Sequence, residues 1–354
     1  MAAFADPRTD LADLTAARAG LALWVFVYHA NLHLFFADPG GLIGRGYLGV
    51  DGFFILSGLV LAHRHPAPRQ TPGAYGRFWW RRFVRLYPTA LAMLLLLGLL
   101  FLLARAGGVH PHQSLRASGR EFLLQLSLLN GWGFSDGWSW NYPSWSISTE
   151  WAGYLIFPAL AVFASRLGRS AVLAGLVAMG VLLLAVGLLS PVGLNLSYQG
   201  ALPRFLPEFV AGVLLARLLR LGASPLPPEV AGACGVIIFA AGIWVRRDLL
   251  AGDAVVAIGL WFLLWAAAAG PQRLFARLPV FIRLGALSYP FYMAYAPIEV
   301  LVSRYWHANH GDPARWPYFW LVVMFLSVLA LASVTARYVE RPLLRHLAGR
   351  RLDS

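Results

Sequence analysis

A chain of 354 residues that is 59% hydrophobic and 13% charged is too apolar for a soluble domain, since soluble domains run at about 45–50% apolar residues. Its net charge of +13 raises nucleic-acid binding, but the arginines punctuate the ends of apolar runs instead of lining one soluble face, which excludes that partner. All 29 basic residues are arginine, and the single cysteine, Cys234, permits no internal disulfide.

Ten apolar runs occur, at about 17–36, 48–63, 86–104, 146–164, 170–189, 203–219, 230–245, 254–269, 284–304 and 317–336. Each approaches the roughly 17–25 residues that cross a hydrocarbon core. The expected fold class is therefore an all-α integral membrane protein, a bundle of about ten transmembrane helices in a single domain over 1–354. The first run is long and lacks a small-residue cleavage site near its end, so it is expected to stay as the first span. Ten crossings put both termini on one side. Twenty of the arginines then fall on that side and nine on the other, which predicts cytoplasmic termini. Residues 64–85 become an inner loop, 105–145 the longest outer segment, and 341–354 a basic tail against anionic inner-leaflet lipid.

In chain order, the first run carries Arg18 and His29. Eleven helical steps return to within about 20° of the starting direction, so the two share a face about 16 Å apart along the axis. Ionisable groups inside a bilayer are costly and usually mark a pathway, a pairing or a reaction centre. The second run opens with Gly49-Val50-Asp51-Gly52; Asp51 either caps the helix or orients an imidazole from the outer boundary. The inner loop ends in Arg81-Arg82-Phe83-Val84-Arg85. Arg82 and Arg85, three apart, point the same way on a helix and suit phosphate, although arginines at a cytoplasmic boundary are also ordinary topology anchors.

The outer segment contains an expected amphipathic helix around 120–129, then Asn130 to Pro143 with Trp132, Trp138, Trp140 and Tyr142. It reads either as a sugar platform or as an interfacial aromatic belt. Trp145-Ser146-Ile147-Ser148-Thr149-Glu150 follows; Glu150 complements a helix dipole or holds a substrate hydroxyl. Arg204 and Glu208, four apart, read as a helix-surface pair. The ninth run starts with a tyrosine-rich turn at 288–297, and Glu340-Arg341-Pro342 closes the tenth. No repeat, P-loop, GxSxG or zinc-ligand spacing is present.

Taken in order, these stretches resemble the acyltransferase-3 family of polytopic membrane acyltransferases, which includes bacterial O-antigen and exopolysaccharide O-acetylases. The resemblance rests on Arg18 and His29 with ten residues between them, Gly49 to Gly58, Arg81 to Pro88, Trp145 to Glu150, Arg204 to Gly212, and Glu340 to Pro342. One position departs: Tyr295 stands where the family's ninth-span pattern carries a histidine. The resemblance implies transfer of an acyl group, acetyl in the simplest case, from acyl-CoA to a hydroxyl of a saccharide or of a glycosylated or lipid-linked acceptor, in a bacterial inner membrane. The donor would be a substrate, with no resident cofactor or metal.

On that reading His29 is base or acyl carrier, and Asp51 and Glu150 are candidates to orient it. Arg18 would stabilise donor charge or the developing oxyanion. Arg81, Arg82 and Arg85 would hold the donor phosphates, and Trp145, Trp138 and Asn130 the acceptor. A transporter or flippase of a polar lipid or saccharide is the rival from another class; such proteins commonly carry inverted repeats, and none is found here.

Overall fold

The computed structural model describes residues 12–65, 71–108, 118–222, 226–245, 251–270, 278–308 and 312–347. Residues 66–70 of the inner loop, 109–117 of the outer segment and 348–354 of the basic tail lie outside the described residues. The chain forms α1 (Ala12–Leu34), α2 (Gly49–Arg64), α3 (Pro72–Ala106), α4 (Gly119–Leu126), α5 (Ser144–Ser165), α6 (Arg169–Leu189) and α7 (Ala201–Arg220). There follow α8 (Pro228–Trp244), α9 (Ala251–Ala269), α10 (Pro279–Ala286), α11 (Ser288–Ala308), α12 (Pro317–Thr335) and α13 (Arg341–Leu347), with no strand among the described residues.

Among the described residues, six helical segments are long and apolar enough to cross a membrane: Ile43–Arg64, Pro72–Ala106, Ser144–Ser165, Arg169–Leu189, Ala251–Ala269 and Pro317–Leu347. This is a multi-pass, all-helical membrane protein. Every apolar run in the sequence coincides with a helix. Those outside the six are α1, α7 and α11, which carry ionisable side chains in mid-helix, and α8, which has 17 residues.

Burial separates centre from periphery. α6 leaves Val177, Val181 and Leu189 exposed, whereas α2 buries Asp51, Phe54, Ile55, Leu56 and Leu59. A lipid-solvated face costs an apolar side chain nothing, so such exposure is expected of the outer helices. The backbones of α2 and α7 touch: a Cβ at Gly58 would collide with the Phe209 carbonyl, and one at Gly212 with the Ile55 carbonyl. Small residues permit this close approach between membrane helices.

α3 has 35 residues, or about 52 Å at about 1.5 Å per residue, against a hydrocarbon core of about 30 Å. Its start is capped by Thr71, whose Oγ1 accepts from the Ala74 amide at 3.3 Å, with Pro72 in the first turn. The first four turns, bearing Arg77, Arg81, Arg82 and Arg85, are thus the overhang. They are held by an Arg85–Glu340 ion pair and by Trp80 Nε1 donating to the Leu347 carbonyl at 3.0 Å. Tyr289, at the start of α11, donates to the Leu86 carbonyl at the same level.

At the other end, the segment between α4 and α5 folds around two buried polar side chains. Glu121 accepts from Ser135 Oγ at 2.5 Å and the Asp136 amide at 3.1 Å. Gln125 donates to the Ser139 carbonyl at 2.7 Å and accepts from the Asn141 amide at 3.1 Å. This polar core explains how a Gly-, Ser- and Trp-rich stretch forms a defined cap over α5.

Candidate active site

α1 supplies both Arg18 and His29, and each borders a cavity. Arg18 lines a space of about 70 Å³ with Arg85, Glu150, Tyr154, Tyr289 and Tyr292. His29 lines a smaller one of about 10 Å³ with Val25, Phe26, Phe291, Tyr292 and Tyr295. Tyr292 borders both, so the two spaces adjoin across one side chain. The larger space has room for a few water-sized groups and the smaller for about one.

His29 sits among rings, with centroids of Tyr28, Tyr295, Tyr142 and Trp138 at 5.0, 5.1, 5.5 and 6.4 Å. Its Nδ1 is 3.5 Å from the Tyr142 hydroxyl, which donates to Glu299 Oε2 at 2.7 Å. Because that hydroxyl proton is committed to the carboxylate, the oxygen is left to accept from Nδ1–H. This assigns the tautomer and leaves the Nε2 lone pair available. The second carboxylate oxygen, Glu299 Oε1, takes His33 Nε2 at 2.6 Å. α1 and α11 therefore meet as two rungs: His29 with Tyr295, and His33 with Glu299, each pair of positions four apart on its helix.

Neither carboxylate expected beside the imidazole is its partner. Asp51 is fully buried and paired with Arg204, whose Nε donates to Oδ1 at 2.8 Å and whose Nη2 reaches Oδ2. Glu150 accepts from Ser57 Oγ at 2.7 Å and Tyr154 Oη at 2.5 Å, and it lines the Arg18 cavity. Arg204 and Glu208 do not form a helix-surface pair either: both are buried, and the guanidinium turns to Asp51, the Leu196 carbonyl (2.9 Å) and the Tyr47 carbonyl (3.0 Å).

The three arginines of α3 diverge. Arg81 is exposed, and Arg82 lies over the Phe78 and Tyr154 rings (5.7 and 5.9 Å) with Nη2 donating to His65 Nε2 at 3.2 Å. His65 follows the end of α2; burial and then the Arg82 charge push its pKa down to about 4, so the ring is a neutral acceptor. Only Arg85 of the three reaches the larger cavity. Arg18 joins it there, and its separation of about 16 Å along the axis from His29 removes it from any oxyanion formed beside the imidazole.

Of the expected acceptor residues, Trp138 is 41% exposed and stacks on Tyr142 at 4.7 Å, forming an open ring face next to His29. Trp145 is buried between Phe54 and the Arg204 guanidinium, and Asn130 is buried with its Nδ2 donating to Ser144 Oγ at 3.0 Å. The Trp145 ring is covered on both sides, whereas Asn130 keeps its Oδ1 without a hydrogen-bond partner among the described residues. Sequence reasoning missed Tyr142, Glu299 and His33. The available signals were a lone acid in an apolar run and a second histidine one turn beyond the first.

The chain matches the acyltransferase-3 family model, described as an acyltransferase domain, over residues 11–337. It is 29% identical to "Acyltransferase MdmB" of Streptomyces mycarofaciens, over 96% of this chain and 93% of that protein. It is 23% identical to "Putative O-acetyltransferase SACOL0978" of Staphylococcus aureus strain COL, over 93% of this chain and 56% of that protein, so it spans about half the length of that relative. No solved structure matches it. With the family model covering nearly the whole described bundle, the chain belongs to the acyltransferase-3 family and is a membrane O-acyltransferase.

Proposed function

We propose that the protein transfers a short acyl group, acetyl in the simplest case, from acyl-CoA to a saccharide or other hydroxyl acceptor, with ten crossings and both termini in the cytoplasm. The observation that carries this reading is the pair of adjoining cavities, with arginines in one and His29 in the other. The thioester enters from the arginine end, where Arg18 and Arg85 offset the donor's negative charge. Its acyl group passes Tyr292 to His29, and the acceptor approaches from the Trp138 face. The acceptor is presented on an aromatic surface, which suits a sugar ring.

In the chemical step His29 Nε2 takes the acceptor hydroxyl proton as the oxygen bonds to the thioester carbonyl carbon. The carbonyl π electrons move to oxygen, and their return breaks the C–S bond. The CoA thiolate leaves with the proton from the imidazolium. Glu299, through Tyr142, holds the imidazole and stabilises its transient positive charge, as a carboxylate does behind a catalytic histidine. Purified protein supplied with labelled acetyl-CoA and saccharide acceptors should transfer label, and His29→Ala should abolish transfer. Transfer that survives His29→Ala overturns the base assignment.

A further inference from the structure

The wall of the His29 cavity contains one polar group without an assignment. Tyr295 is 4% exposed, its ring lies 5.1 Å from the imidazole, and its hydroxyl has no hydrogen-bond partner among the described residues. Neighbouring tyrosines differ: Tyr142, Tyr154, Tyr289 and Tyr292 all have hydrogen-bond partners. A buried hydroxyl without a partner is destabilising and uncommon. Phe26 packs edge-on to the Tyr295 ring at 5.9 Å, and the space shared with His29 is the void that both rings border. A group entering that void would lie between the His29 imidazole and the ring of Tyr295, the residue that carries the unpaired hydroxyl.

We propose that the Tyr295 hydroxyl donates a hydrogen bond to the acyl carbonyl oxygen and stabilises the oxyanion formed when the acceptor attacks. This rests on the reading of His29 as base. As the acceptor oxygen bonds to the carbonyl carbon and its proton goes to His29 Nε2, the carbonyl electron pair moves to oxygen, where the Tyr295 O–H meets it. When the pair returns, the C–S bond breaks and the thiolate leaves with the imidazolium proton, so Tyr295 gives up no proton. A preorganised donor of this kind in a dry site acts where charge develops, which is where hydrogen bonds contribute most to rate.

The test is Tyr295→Phe, which removes one oxygen and keeps the ring. The purified variant should lose about 100-fold in kcat, the scale seen when one oxyanion donor is removed, with KM for acetyl-CoA within about twofold and thermal stability unchanged or higher. A kcat near wild type overturns the proposal, as does a loss borne by KM alone. A marked fall in melting temperature also overturns it, because the hydroxyl would then have a structural partner. Tyr295→His, which returns an N–H donor to the same wall, should recover part of the lost kcat. His29→Ala assayed alongside separates the two claims: if it is inactive while Tyr295→Phe is fully active, only the oxyanion assignment fails, and if it is active the base assignment fails.

Discussion

Replacing Arg204 by methionine should unfold the region that joins α2 to α7 without touching the chemistry. The guanidinium is 1% exposed and donates to both oxygens of a fully buried Asp51 and to the carbonyls of Leu196 and Tyr47. Glu208, equally buried, lies one helical turn away on α7 and beside Asp51. Removing the cation leaves two buried carboxylates together, and breaking one partner of a buried ion pair costs about 3–5 kcal/mol. At about 2 °C or more per kcal/mol, Arg204→Met should lower the melting temperature in detergent by about 6 °C or more. Removing Asp51 as well, in Arg204→Met with Asp51→Leu, should recover much of the loss, because an apolar pair can replace a buried ionic one. The assay is tryptophan-fluorescence or static-light-scattering melting of the purified variants, with acyl transfer measured on the folded fraction. A wild-type melting temperature for Arg204→Met would refute this account. So would an Asp51→Asn protein that melts normally yet transfers nothing, which would return Asp51 to the reaction.

Glu299→Gln should reduce kcat about 10- to 100-fold with little change in KM for acetyl-CoA, because it acts on the imidazolium through Tyr142 and not on the donor; an equal rise in KM would count against it. Arg85→Gln should raise KM for the donor while Arg81→Gln leaves it unchanged, and steady-state kinetics decides between them. Gly212→Val should lower yield and melting temperature, since the added side chain meets the Ile55 carbonyl of α2; normal melting would show that the helices can separate freely. His65 should remain neutral in NMR titration until pH approaches about 4. Its folded-state pKa is depressed, so its contribution to stability is complete above about pH 6.5 and is lost as pH falls towards 4. An imidazole titrating near 6.5 would show that Arg82 does not face it.

The shared helical face of Arg18 and His29 was legible from spacing alone, because an eleven-residue step depends only on helix geometry. The apolar runs were legible for a similar reason: a bilayer demands a continuous stretch of suitable length. The division of labour among the polar residues was not. Glu299 lies 270 positions from His29 in the chain, and what joins them is the packing of α1 against α11 with Tyr142 inserted from the segment before α5. Asp51 and Glu150 looked equivalent, as acids near helix starts, until Arg204 arrived from α7 to take one and Ser57 and Tyr154 to take the other. Trp145 and Trp138 likewise differ only in what covers them.

By itself, then, the sequence determined a helical membrane bundle, its motif order and the alignment of an arginine and a histidine on one helix, all of them properties of local periodicity and composition. Only the tertiary structure decided which carboxylate lies behind Tyr142 and the histidine, which arginines border the larger cavity and which tyrosine hydroxyl is left unpaired among the described residues. The physical reason is that a hydrogen bond is made over about 3 Å, and only the packing of distant helices can bring two side chains that close.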